Sequence, residues 1–311
     1  MRNILITGGA GFIGSCLAEK LIEDKNNYVV IFDNLSTGSL DKLPKKDSNW
    51  HFVKGDCNQY QDIAQVMLSY NFDFIFHYAA VVGVQRTQDN PCKVLQDLDG
   101  FRNILNLAKD INVKRIFFSS SSEVYGEPVS FPQNEVTTPL NSRVPYAVVK
   151  NAGEAFLRSY HKEYGLNYTI FRFFNAYGPK QSKDFVISRF IDKALLNEPI
   201  TIFGDGLQTR TFCFIEDNLE ACCKIAYDNL FINDVINIGN DNEITILDLA
   251  KTIIRITNSK SEIIHLPPLK EGDMSRRLPD ISNMKSLLNR PLTSLEDGIK
   301  NILSHSLWNN K

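Results

Sequence analysis

Tyr146 and Lys150 stand four residues apart in Pro145-Tyr-Ala-Val-Val-Lys150. On an α-helix that spacing puts both side chains on one face. A phenol ionises at about 10 and is a poor base near neutrality. A neighbouring ammonium stabilises the phenolate and brings it toward the working range. The pair therefore suits removal of a proton from an alcohol. A second group of chemical interest is the run Ser119-Ser-Ser-Ser122, delivered by the apolar stretch Arg115-Ile-Phe-Phe118 and followed by Glu123. A hydroxyl at the end of that stretch can bond the reacting oxygen opposite the tyrosine, and Ser121 is the candidate. The Glu123 carboxylate, two residues on, is placed to move a further proton.

Oxidising an alcohol also requires a hydride acceptor. Gly8, Gly11 and Gly14 follow an apolar run and open an amphipathic segment. Glycines there let the chain turn tightly and approach a pyrophosphate at a helix N-terminus. The spacing is GxxGxxG and not the better-known GxGxxG, so its weight comes from its place between strand and helix. Asp33 ends the second apolar run. An acidic residue at that distance bonds the adenosine ribose hydroxyls and repels a 2′-phosphate, which favours NAD over NADP. Asp56 is positioned to accept from an adenine amino group, and Ala79 and Ala80 are small enough to admit a cofactor. His77 reads as a satisfied core histidine.

The elements that must hold these residues are apparent from periodicity. Strands are expected at 3–7, 28–33, 51–54, 73–77, 114–118 and 167–172, apolar on both faces as in a buried parallel sheet. Helices are expected near 12–24, 59–70, 92–110 and 146–164. The alternation predicts an α/β fold, a Rossmann doubly wound parallel sheet, with a smaller C-terminal α/β substrate lobe. The expected division is 1–174 for the NAD-binding domain and 175–311 for the substrate lobe, with the chain free to cross between them. Thr293 and Glu296 suggest a capping box before a late helix.

The 311 residues carry a net charge of -2 and are 43% hydrophobic, an ordinary globular composition with no electrostatic support for nucleic-acid or membrane-surface binding. The six cysteines lack a CxxC pair, so neither a metal site nor a disulfide framework is expected and a cytoplasmic setting fits. No leader and no transmembrane run of about 20 apolar residues is expected.

In order along the chain stand TGGAGFIG at 7–14, HYAA at 77–80, SSSSEVYG at 119–126, YAVVK at 146–150, FRFFNAYGP at 171–179 and GDGLQTRTFCFIED at 204–217. Together they resemble the extended short-chain dehydrogenase/reductases of the NAD-dependent epimerase/dehydratase family over essentially the whole length. The resemblance implies that NAD is held by Gly8, Gly11, Phe12, Ile13, Gly14, Asp33, Asn34, Asp56, Cys57, Ala79, Ala80, Tyr146 and Lys150. It implies that Ser121 and Tyr146 act on a sugar C4 hydroxyl, with Ser122 beside them. Asn175, Arg210 and a basic residue among Lys270, Arg276 and Arg277 would hold the diphosphate of a nucleoside diphosphate sugar, chemistry to which two cations and an amide are suited. A homodimer pairing segments 92–110 and 146–164 is also implied. One departure is Asp97, where relatives usually carry Asn close to the nicotinamide.

Oxidation at C4 gives a 4-keto sugar, and its fate defines the enzyme. A 4-epimerase or net 4-dehydrogenase is the leading reading. A UDP-glucuronate-type decarboxylase or a 4,6-dehydratase using Glu123 is the alternative, supported by Ser122-Glu123 and by Ser275-Arg-Arg-Leu-Pro-Asp-Ile281. Val81-Val-Gly-Val84 instead resembles the epimerase loop. A non-catalytic NAD-binding regulator would be expected to lose Tyr146 or Lys150, and an alcohol dehydrogenase of small substrates would not need Asn175 and Arg210.

Overall fold

The computed structural model describes residues 1–45, 47–127, 129–268 and 276–308, with the backbone alone at Val84 and Gln85. Two compact units result from the chain passing back and forth. The first comprises Met1–Gly126, Leu140–Phe173 and Cys222–Ile236, the second Glu127–Pro139, Phe174–Ala221 and Asn237–Lys311.

The first unit is built on a twisted sheet. Its strands are β1 (Arg2–Thr7), β2 (Asn27–Asp33), β3 (Trp50–Lys54), β4 (Phe74–His77), β5 (Arg115–Ser121) and β6 (Tyr168–Phe173). A seventh strand, Asp234–Ile238, lies beside β6, and the rest follow in the order β6-β5-β4-β1-β2-β3. Every pair from β6 to β3 is parallel. Order reverses between β1 and β4, and at such a switch point the strand C-termini part to leave a crevice for a ligand. The doubly wound parallel sheet is therefore present as expected.

Parallel strands need crossovers. These are helices α1 (Phe12–Ile22), α2 (Tyr60–Ser69), the short α3 (Val84–Asp89) and α4 (Pro91–Leu95), then α5 (Asp97–Asp110) and α6 (Pro145–Tyr164). Sheet residues Leu5, Val30, Phe32, Ile75, Ile116, Phe118 and Ile170 are buried with Ile63 and Met67 of α2, Phe101 and Ile104 of α5 and Leu157 of α6. Each such side chain contributes about 1.5–3 kcal/mol on burial, so packing more than intrinsic propensity holds these helices. α6 starts with Pro145 at its first position and ends at Gly165, whose φ of 71° suits glycine. Gly153 is needed for close approach, because a Cβ there would come within 2.4 Å of the Phe101 ring.

The second unit contains helices Val186–Leu195, Ile246–Thr257, Ser282–Leu288 and Leu295–Ser304. Its short strands pair two by two among the described residues: Ala176–Tyr177 with Cys213–Phe214, Thr209–Thr211 with Glu243–Thr245, and Ile200–Phe203 with Ile263–Leu266.

Two local expectations are corrected. The late helix forms, but its cap is Ser294, whose Oγ accepts from Asp297 N at 3.1 Å. Thr293 instead bonds Asp217 through both its N–H and its hydroxyl, a tertiary contact that outcompetes the capping box. The segment 92–110 is not one helix. It breaks at Gln96, and the Asp97 carboxylate accepts from Val81 N at 2.8 Å. No described helix is long and apolar enough to cross a membrane. Five cysteines are buried and Cys92 is exposed.

Candidate active site

The glycine turn connects β1 to α1. Gly8 has φ 69°, and a Cβ there would lie 2.6 Å from Ala79 N, so the turn presses against the end of β4. A Cβ at Gly14 would lie 2.4 Å from the Gly8 carbonyl oxygen. Gly11 differs: only the Gly8 oxygen lies within 4 Å of its would-be Cβ, at 3.1 Å, so its outer side is open. α1 has no side-chain cap, and its first helical bond runs from Ser15 N to Gly11 O at 3.2 Å. The amides of Phe12 and Ile13 therefore have no helical acceptor, the arrangement that receives a phosphate at a helix N-terminus.

Asp33 ends β2 and is 8% exposed. Its carboxylate accepts from Ala10 N at 3.0 Å and Leu35 N at 2.7 Å. A carboxylate has about four acceptor positions, so two remain for hydroxyls. Asp56 accepts from Asn34 Nδ2 at 3.0 Å and Asn58 N at 2.9 Å. Cys57 is buried, and burial pushes its thiol up and keeps it protonated. Ala79 and Ala80 follow β4 and are half-buried. His77 bonds Thr7 Oγ1 through Nδ1 at 2.8 Å, packs against Phe101 and Phe118, and is pushed by burial down to about 3. It is a neutral core histidine.

The catalytic candidates lie on β5 and α6. Lys150 is 2% exposed and donates to the Ser119 carbonyl at 2.6 Å. Its Nζ lies 5.7 Å from the Tyr146 ring centroid, and Tyr146 is half-buried. Burial pushes the Lys150 ammonium down to about 8, with the Asp97 carboxylate opposing. Asp97 is itself raised by burial, against its bond from Val81 N and the Lys150 charge. Ser121 and Ser122 are buried and Glu123 is half-buried. The Ser121 Oγ accepts from Glu123 N at 3.2 Å, so serine and glutamate share one turn.

In the second unit, Asn175 has φ 37°, and its Nδ2 donates to the Thr211 carbonyl at 2.9 Å. Arg210 donates to the Thr209 carbonyl at 2.7 Å. Arg276 holds Glu243 in a two-point pair, at 2.8 and 2.5 Å, and lies 4.6 Å over the Phe131 ring. Arg277 is 6% exposed. Lys270 lies outside the described residues.

A sequence profile described as the NAD dependent epimerase/dehydratase family matches residues 4–239. The chain belongs to that family. It is 36% identical to a putative UDP-glucose 4-epimerase of Methanocaldococcus jannaschii, covering 99% of both chains. It is also 36% identical to UDP-glucuronic acid decarboxylase 3 of Arabidopsis thaliana, covering 96% of this chain and 86% of that one. Among solved structures, UDP-glucose 4-epimerase from Thermotoga maritima with UDP-glucose superimposes with a TM-score of 0.92 at 32% identity, covering 99% of each chain.

NAD is the cofactor of the family, and the glycine turn fits it: an open Gly11, uncapped amides on α1 and an acidic Asp33 with acceptor positions to spare. Several participants were not singled out from sequence. A Cβ at Gly9 would strike Ile31 Cγ2 at 2.6 Å, and one at Gly38 would lie 2.9 Å from Asp33 Oδ1. Asn58 Oδ1 accepts from Gly100 N at 3.1 Å and ties the loop after β3 to α5. Glu154 is buried at 0% exposure against Ser120 and Arg172. Its signal was present, since it falls one turn beyond Lys150 on the same face, and Arg172 is a lone cation in an apolar strand.

Proposed function

We propose that this family member oxidises the C4 hydroxyl of a nucleoside diphosphate sugar and that the resulting ketone is reduced again, as in a 4-epimerase. Release of a net oxidised product is the other form of the same reading. The observation carrying it is the Tyr146–Lys150 pair on α6 with Lys150 bonded to the strand that bears Ser121. NAD, held by the Gly8–Gly14 turn and Asp33, supplies the acceptor for the C4 hydride. Tyr146 takes the C4 hydroxyl proton onto its phenolate oxygen. Lys150 favours that phenolate by its charge and bonds the nicotinamide ribose. Ser121 Oγ donates to the reacting oxygen. Asn175, Arg210 and Arg277 are assigned to the diphosphate. Residues 1–174 are assigned mainly to NAD and 175–311 to the nucleotide sugar.

The decarboxylase reading needs a cation for a C6 carboxylate. Arg276 is already paired with Glu243 at two points, so that role would require the pair to open. Glu123 keeps the alternative in view, because its backbone is bonded to Ser121 Oγ. Incubating the purified protein with UDP-glucose, UDP-galactose, UDP-glucuronate and dTDP-glucose, then recording product mass and proton spectra, separates the readings. An isomer of unchanged mass is expected. Loss of carbon dioxide or of water would replace this reading by the alternative. Glu123→Gln should leave epimerisation largely intact, whereas a dehydratase or decarboxylase would accumulate the 4-keto sugar.

A homodimer joined through α5 and α6 is part of the proposal. α6 carries Ala152, Ala155, Phe156, Ser159, Tyr160, Glu163 and Tyr164, small and aromatic residues with one carboxylate, around a surface hollow of about 390 Å³. Light scattering should give twice the chain mass.

A further inference from the structure

We propose that Glu154 is a positioning residue which, through Ser120, sets the placement of the Tyr146–Lys150 helix against the strand that presents Ser121. The inference rests on the catalytic reading above and deepens it. Glu154 lies on α6 and is fully buried. Its Oε1 accepts from Ser120 Oγ at 2.7 Å and Arg172 Nε at 2.9 Å. Its Oε2 accepts from Arg172 Nη2 at 2.8 Å and Arg158 Nη2 at 3.2 Å. All four acceptor positions of the carboxylate are thereby filled, which fixes its orientation as well as its place. Although burial opposes ionisation, the bond and charge of Arg172 hold the carboxyl below its usual range.

The partners identify the role. Ser120 immediately precedes Ser121 on β5, and one turn back along α6 Lys150 bonds the carbonyl of Ser119. The helix is thus latched to consecutive residues of the strand, and the third in line is the catalytic hydroxyl. Arg172, on β6, extends the latch: its Nη1 donates to Tyr125 Oη at 2.9 Å, and its guanidinium lies 4.8 Å over the Tyr125 ring. Tyr125 closes the turn Ser122–Tyr125 that Ser121 caps and Glu123 occupies. One buried carboxylate therefore connects the elements bearing Ser121, Glu123, Tyr146 and Lys150. Stability alone gives little reason for it, because a buried ion pair roughly breaks even against an apolar pair of the same volume. A fully bonded polar network specifies one arrangement where apolar packing tolerates several.

The test uses the NAD-loaded protein with whichever of the four nucleotide sugars named above it turns over, and compares Ser120→Ala, Ser121→Ala, their double variant, Glu154→Gln and Tyr146→Phe. Ser120→Ala empties one acceptor position on Glu154 and leaves the Glu154–Arg172 pair intact, so it should remain folded even if Glu154→Gln does not. It should lower kcat by about 10- to 100-fold, the scale of a misplacement near 1 Å, with KM changed less than about threefold. Combined with Ser121→Ala, the loss should fall well short of the product of the two single losses, because what Ser120 sets is the placement of Tyr146 relative to the Ser121 hydroxyl. A purely structural role would lower the melting temperature and leave kcat of the folded protein unchanged. That result, or losses that multiply, overturns the inference. If none of the four nucleotide sugars named above is turned over, or Tyr146→Phe acts at the wild-type rate, the catalytic reading itself fails and the inference falls with it.

Discussion

Two cations in the two units are held in opposite ways. Lys150, in the first, is buried and bonds a backbone carbonyl, and burial depresses its pKa. Arg276, in the second, is 43% exposed at its side chain, and its bond to Glu243 raises its pKa further. The first stores electrostatic strain in a fixed place, where it can act on a neighbouring phenol. The second spends its charge on a partner that must yield before any ligand can use it. Chemistry demands the former and adaptable binding tolerates the latter.

The largest expected effect tests whether the buried pair is the chemical centre. Tyr146→Phe removes only the phenolic oxygen and should reduce turnover by about 10²–10⁴-fold while NAD remains bound. Steady-state rates and cofactor titration measure both, and a wild-type rate would end the contrast. Next, Gly14→Ala puts a methyl where the Gly8 carbonyl stands 2.4 Å away. Fluorescence or calorimetric titration should show NAD affinity lost almost entirely.

Lys150→Met sharpens the contrast through stability. The folded pKa, about 8, lies below that of the unfolded chain. The ammonium therefore opposes folding fully below pH 8, and this penalty fades as pH rises from there toward the unfolded value. Lys150→Met should abolish turnover yet stabilise the cofactor-free protein at pH 7 by up to about 2 kcal/mol, after subtracting the lost bond to Ser119. Denaturation curves should show the gain shrinking above pH 8. The smallest effect concerns Arg276. Glu243→Gln frees the guanidinium from a partly exposed pair, so KM for UDP-glucose should fall by at most about fivefold. An unchanged KM would exclude Arg276 from the substrate's contacts.

The glycine turn was legible because steric requirements are local. A strand followed by Gly8, Gly11 and Gly14 and then a helix admits few backbones. Tyr146 and Lys150 were legible because helical spacing alone puts them together. Ser120, Glu154 and Arg172 were less so, since their contact joins a strand, a helix and another strand across 34 and 18 residues. Thr293 departs from its expected capping role for the same reason: Asp217, 76 residues away, claims it and leaves the cap to Ser294.

Apolar periodicity by itself determined the parallel sheet, because strands buried on both faces and joined by amphipathic helices have few other ways to leave water. Residue type and short spacing determined the cofactor turn and the catalytic pair. Tertiary structure alone decided the charge environment: that Lys150 is desolvated, that His77 is neutral, that Arg276 is engaged by Glu243 and that Glu154 latches α6 to β5. Ionisation and pairing depend on the dielectric and on partners brought from distant positions, and neither is a property of a residue's neighbours along the chain.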